Sequence, residues 1–286
     1  MTARAVPAAK PARPLRQTEA REITALVCEI REIDQITQLW QNEPHLLREA
    51  ITKLLGAATD IVRAHFGTIE FASPRGLTAV FNYPRDQMDH AEHAAEAALA
   101  MLAQLDPLNA ELEKLAAPGT FTALNFSIGI ESGPVHAIDI GLKPRGEYSL
   151  IGPAMSLSHE LSACAQMYGL AVVVGPAAHE YWLRKFALLE LDITRIGTAA
   201  KPIFALSGNA LQRANPRFKA LQEGFCAFHG LYRKGHFDAA LALLEQCERL
   251  PGANASVVEL FAQRIAFLKS RAPTAPWDGV FRAPIK

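Results

Sequence analysis

The feature that most constrains the fold is the run from Ile23 to Cys28, which is apolar at nearly every position and ends on a carboxylate, Glu29. Apolar residues at successive rather than alternate positions predict a strand buried on both faces, and hence a sheet covered by helices above and below. Such a strand demands a large core. With 286 residues, half of them apolar, the chain has enough material for one domain of ordinary size and a smaller one.

The flanking pattern supplies the covering helices. Glu43-Pro44 suits a first helical turn, and Leu46, Leu47, Ala50, Leu54, Ala57, Ala58, Ile61 and Val62 recur at helical spacing until Gly67. Two short strands, Thr68 to Ala72 and Leu77 to Asn82, are separated by Ser73-Pro74-Arg75-Gly76, which is turn chemistry and predicts a hairpin. An Ala-rich helix is expected over Asp86 to Leu105, with its acidic residue near the positive end of the dipole. Strands follow at Thr120 to Glu131 and Pro134 to Ile140, with a turn at Ser132-Gly133. A loop from Gly141 to Glu147 leads to a short strand, Tyr148 to Ile151, and a helix, Ala154 to Tyr168. Ala171 to Gly175 reads as a strand, Pro176 to Arg184 as a short helix, and Phe186 to Ile196 and Lys201 to Leu206 as the last strands. This order predicts an α+β sandwich over residues 19–208, distinct from a doubly wound parallel sheet.

On either side the character changes. Residues 1–18 place Pro7, Pro11 and Pro14 among Ala and basic residues, which predicts extended, solvated chain. Residues 209–286 read as a helical extension, with helices at Pro216 to Lys234, His236 to Arg249 and Ala255 to Lys269. Tyr232, Gly235, Phe237 and Ala240 resemble the tight turn of a tetratricopeptide-type helix pair. One such repeat cannot bury its own faces, so the extension is expected to dock on the main domain or on a second chain.

Charge and cysteine content narrow the function classes. Lys and Arg number 29, as do Asp and Glu, so no bulk positive field draws nucleic acid or anionic lipid. Cys28, Cys164, Cys226 and Cys247 form no close pair, which argues against zinc or disulfide scaffolds and predicts buried free thiols. No apolar run approaches the ~20 residues of a membrane span, and no apolar segment follows the basic N-terminus before Ile23. A cytoplasmic protein is expected.

Three stretches carry a family resemblance. Arg21 to Arg31, Gly67 to Phe81 and Tyr148 to Leu161 together resemble the catalytic domain of class III adenylate/guanylate cyclases over roughly Glu19 to Leu206. Ala79-Val80-Phe81, Gly129-Ile130 with Gly133-Pro134-Val135, and Tyr148 with Ile151-Gly152 match its scaffold motifs. Pro276-Trp277 to Phe281 is similar to the tail that follows this domain in some bacterial sensor-linked cyclases. The resemblance implies a ferredoxin-like α/β sandwich that works as a dimer. In such a dimer, two carboxylates hold two metal ions on a nucleoside triphosphate. A lysine and a second polar residue read the base, and an Asn and an Arg come from the partner subunit.

The implied site positions depart from that pattern. The first metal carboxylate falls on Glu29, one methylene longer than the usual Asp, and the Gly three residues on is Glu32. The second falls on Arg75, which cannot ligate a divalent cation, with Pro74 before it. The base-reading Lys falls on Phe71, and Ser149 belongs to the same vestigial nucleotide cleft. Pro153 follows Gly152 where Asp is usual, the ribose Asn falls on Ser156 and the transition-state Arg on Glu160, a charge reversal. An ion pair between Arg75 and Glu29 is expected across the old metal site. His90 and His93, beside Asp86 and Asp89, are expected at a helix start on the surface, and His159-Glu160 on a solvent-facing helix surface.

The resulting expectation is a pseudo-cyclase, a dimeric regulatory or interaction module paired with itself or another cyclase-domain chain. The helical tail is a candidate surface for a protein partner. No cofactor is expected, and Mg²⁺ or Mn²⁺ only with residual activity. One alternative is an active nucleotidyl cyclase with non-standard residues, in which Phe71 stacks on a base and Glu29 holds a single metal. The other is a small-molecule sensor using the vestigial cleft.

Overall fold

The apolar run lies at the centre of the fold. In the computed structural model, which describes residues 18–117, 119–138, 149–182, 184–196, 199–270 and 277–281, it is part of β1 (Thr18–Ile30). Every residue from Ile23 to Cys28 is buried. The elements that follow are α1 (Ile33–Leu39), α2 (Pro44–Ala64), β2 (Thr68–Ser73), β3 (Gly76–Phe81), α3 (His90–Glu113), β4 (Phe126–Ile138), β5 (Ser149–Ile151), α4 (Pro153–Met167), β6 (Val172–Val174), α5 (Pro176–Trp182), β7 (Ala187–Ile196) and β8 (Ala199–Gly208). Four helices complete the chain: α6 (Ala210–Ala214), α7 (Pro216–Arg233), α8 (Phe237–Glu248) and α9 (Ala255–Ser270).

The strands form one mixed sheet in the order β2-β3-β1-β4-β6-β8-β7, with β5 paired to the end of β4. β1 and β4 run antiparallel from Thr18↔Ile138 to Ile30↔Phe126, whereas β4 and β6 are parallel. The two faces have separate cores. Leu26, Cys28, Ile128 and Ile130 pack with α2 and α3 on one side. Val173, Leu189, Leu191 and Ile203 pack with α4 and the C-terminal helices on the other.

Two glycines permit the closest approaches. A Cβ at Gly129 on β4 would lie 2.1 Å from the Ser158 carbonyl oxygen, so α4 can seat directly on the strand. A Cβ at Gly76 would lie 2.1 Å from the Cys28 carbonyl oxygen, which leaves the β2–β3 hairpin tight against β1.

Several local expectations are corrected. Ser132-Gly133 is not a turn: β4 runs unbroken through it, because Thr24 and Ile23 of β1 pair with these two residues in register. The strand expected from Thr120 begins only at Phe126. The Ala-rich helix starts at His90 and continues through Pro107 to Glu113. Thr18, assigned to the tail, opens β1. Helix α1, with Ile33, Ile36 and Trp40 buried at helical spacing, was not anticipated. Of the four free thiols, Cys28 and Cys247 are buried, Cys164 is half-buried and Cys226 is exposed. The expectations for residues 1–17, 141–147, Tyr148 and Pro276 lie outside the described residues.

The C-terminal helices dock on their own chain. Phe218, Leu221, Phe225, Phe228 and Phe261 share one core with Leu157, Leu161 and Tyr168 of the α4 segment and Leu189 of β7. Trp277 closes the far side, donating through Nε1 to the Tyr232 carbonyl at 2.8 Å.

Candidate functional site

Glu29 stands near the end of β1, where the strand emerges from the core. It is opposite Gly76 on one side and Ser127 on the other, and its carboxylate accepts a 3.2 Å hydrogen bond from Ser162 Oγ on α4. The backbone then turns sharply. Glu32 adopts left-handed geometry (φ 54°, ψ 30°) as the N-cap of α1, without a side-chain capping bond. This is the position where the resemblance expects Gly, so the bend is present while the residue suited to it is not.

That turn presents Asp34 in the first turn of α1 to the β2–β3 hairpin. Arg75 at the hairpin tip donates two hydrogen bonds to the Asp34 carboxylate, one of them 3.2 Å from Nη1 to Oδ2. The expected Glu29–Arg75 pair is therefore replaced by Asp34–Arg75. Glu29 is drawn to Ser162 instead, and it contributes only a distant charge to Arg75. The signal for Asp34 lay in the Ile33, Ile36, Trp40 spacing, which brings a helix start against the hairpin.

These residues line a shallow cleft of about 240 Å³ that includes Glu29, Glu32, Asp34, Arg75 and Gln166. Small-molecule sites usually run to ~300–1,000 Å³. Three carboxylates face one cation, a field that repels a triphosphate. Among the described residues no trio of His, Cys, Asp or Glu is placed to hold a metal ion. Asp34 is occupied by a guanidinium and Glu29 by a hydroxyl. This donor set does not fit the two metal ions that the resemblance implies.

The other predicted positions are not gathered at the cleft. Phe71 lies on β2, 62% exposed, beside a register irregularity between Ile69 and Phe71. Ser149 opens β5, half-buried and opposite Ile138. Ser156, His159 and Glu160 lie exposed on α4. His93 is half-buried near Gln87. His90 is buried rather than on the surface. Its Nδ1 is 2.7 Å from Thr24 Oγ1, which is in turn 2.7 Å from Ser132 Oγ. Burial pushes the His90 pKa down, with the like charge of His93 adding to the shift and Asp89 opposing it. Glu131 was also unforeseen. Buried beneath α5, its carboxylate accepts 2.8 Å bonds from the Ser132 and Ala178 backbone amides; burial raises its pKa and these donors oppose the rise.

No protein-family model and no curated protein matches the sequence. Solved structures do. The crystal structure of the guanylyl cyclase Cya2 superposes with a TM-score of 0.58 at 21% identity, covering 68% of this chain and 95% of that one. The adenylyl cyclase CyaB from P. aeruginosa gives 0.60 at 17% identity, covering 67% and 96%. The guanylate cyclase domain of RhGC from Catenaria anguillulae, solved with GTP, gives 0.53 at 18% identity, covering 67% and 99%. The chain is thus an α+β protein built on a mixed sheet with helices on both faces. Its fold is that of the class III adenylyl and guanylyl cyclase catalytic domains.

Proposed function

We propose that this chain is a catalytically degenerate cyclase-like protein, a dimeric regulatory or interaction module in cyclic-nucleotide-type signalling. The observation that carries this reading is the Arg75–Asp34 pair, because the resemblance implies a metal-binding carboxylate at position 75. The acid excess at the cleft supports it, because Glu29 and Glu32 line a cleft that, on the resemblance, would have to accept phosphates. In a dimer, the exposed Glu160 of one subunit would add a further negative charge at its partner's site, where the reaction develops one. Removing one transition-state donor alone typically costs ~10²–10³ in rate. The module works in the cytoplasm without a bound metal, and its tetratricopeptide-like helices stabilise the domain and present a surface to a protein partner.

Incubation with ATP, GTP, CTP and UTP, each with Mg²⁺ or Mn²⁺, tests the reading, with products identified by mass spectrometry. No cyclic product is expected. Cyclic product that disappears in Glu29→Ala would overturn it. Mixed with an active cyclase domain with which it pairs, the chain lowers activity, because it supplies neither the full pair of metal carboxylates nor the Asn and Arg. A rise in activity would contradict this.

The exposure of Phe71 favours a second reading, an unconventional cyclase in which this ring stacks on a base. The same assay separates the two readings.

A further inference from the structure

A second cleft lies away from the Glu29 region, where the end of the sheet meets the C-terminal helices. It encloses about 530 Å³, inside the ~300–1,000 Å³ range of small-molecule sites. One wall is a preformed aromatic stack. The His179 imidazole of α5 lies over the Phe204 ring of β8, with centroids 3.6 Å apart and planes within 5°. Phe225 of α7 also lines the cleft. Burial pushes the His179 pKa down, against the opposing charges of Glu180 and Glu190.

The charged groups of the lining have one sign. Glu190 and Glu223 are its charged residues. Glu190 is shared with Arg233, which does not line the cleft. The lining therefore offers hydrogen-bond acceptors and negative potential beside a flat π-surface. A planar ring would stack on His179, and a positive charge or exocyclic amines would find Glu223 first, with Glu190 beside its ion pair with Arg233.

We infer that this cleft is a binding site for a planar, cationic or amino-substituted heteroaromatic compound. The pairing of stack and carboxylates selects against anionic rings, nucleotides included, and places small-molecule recognition between the sheet and the extension. This inference is independent of whether the Glu29 cleft is catalytic.

Cys226 supplies a reporter, because it is exposed and lines the cleft. The probe is proflavine, a planar cation whose fluorescence changes on binding, titrated into the full-length protein. The expected result is saturable one-site binding. His179→Ala weakens it roughly three- to tenfold by removing the stacking surface, and Glu223→Gln also weakens it. Glu259→Gln, in the separate groove between α8 and α9, leaves it unchanged. Saturating proflavine slows iodoacetamide alkylation of Cys226, read by peptide mass spectrometry, whereas fluorescein, a planar anion, does not. Absence of saturable binding overturns the proposal. So does binding that neither protects Cys226 nor weakens in Glu223→Gln, an exposed change that leaves folding intact even if His179→Ala does not.

Discussion

Arg264 Nη1 lies 2.6 Å from Asp192 Oδ2, with the two side chains only 9% and 5% exposed. The pair joins α9 to β7, across the junction between extension and sheet. Tyr168 Oη donates to the same carboxylate, and the guanidinium lies over the rings of Tyr168, Phe261 and Phe281. Breaking one partner leaves the other buried and unpaired. Asp192→Ala should cost about 3–5 kcal/mol, measured by urea unfolding. Asp192→Leu combined with Arg264→Met should recover most of that loss, because apolar side chains replace a buried pair at little cost. A double variant as unstable as the single one would show that the pair contributes more than mutual neutralisation.

The sheet edge depends on the extension in a second way. β7 ends the strand order, and α7 covers its free side. Gln222 Nε2 donates to the Leu188 carbonyl at 3.0 Å, and His229 Nε2 lies 3.1 Å from the Glu190 carbonyl. Deleting residues 209–286 would uncover this edge and the apolar surface of Leu161, Leu189 and Leu191. An open edge beside an apolar face templates aggregation. The truncated chain should elute in the void volume on size exclusion; a soluble, folded truncation would show that the sheet is self-sufficient.

Acid lability should begin near neutral pH. The folded pKa of His90 lies below the ordinary 6.5 because of burial, and burial acts the same way on His179 and His229. Below about pH 6.5 the unfolded chain binds protons that the folded chain resists. The stability contribution of these groups is therefore complete above that pH and is lost as pH falls through the folded pKa values. The urea midpoint should drop between pH 7.5 and 5.5. His90→Gln should reduce the drop without abolishing it, since two other histidines titrate in the same direction. An unchanged slope would remove His90 from this account.

Glu32 occupies left-handed backbone without a capping bond. For a residue with a Cβ that geometry costs about 1–2 kcal/mol, partly offset by the greater unfolded-state freedom of Gly. Glu32→Gly should raise stability by up to about 1 kcal/mol. Destabilisation instead would mean that the carboxylate holds an interaction stronger than the strain.

Arg75→Asp removes the guanidinium from Asp34 and adds a carboxylate to a cleft that already holds Glu29 and Asp34. Acid side chains gathered without a cation favour a divalent ion. Calorimetry with Mn²⁺ should detect binding in the variant and none in the parent. Cyclase activity should stay absent, because Ser156 and Glu160 are unchanged. Mn²⁺ binding to the parent would refute the assignment of Arg75 as the group that excludes metal.

The amino-acid sequence by itself determined the sheet and its covering helices. Six successive buried residues in β1, the helical spacing in α2 and the turn chemistry at Ser73 to Gly76 are local patterns, and each reports a burial requirement that only a few packings satisfy. The residue types at Glu29 and Arg75 were equally legible, because residue type alone decides whether a side chain can ligate a cation. What only the tertiary structure decided was who pairs with whom. Asp34 reaches Arg75 across a sequence separation of 41 residues, and Arg264 reaches Asp192 across 72. His90 is buried because β1 and β4 bring Thr24 and Ser132 to it, and Ser132-Gly133 is a strand because β1 runs beside it. Charge partners and strand continuity depend on neighbours distant in the chain, whereas periodicity and turn chemistry depend on neighbours within a few residues.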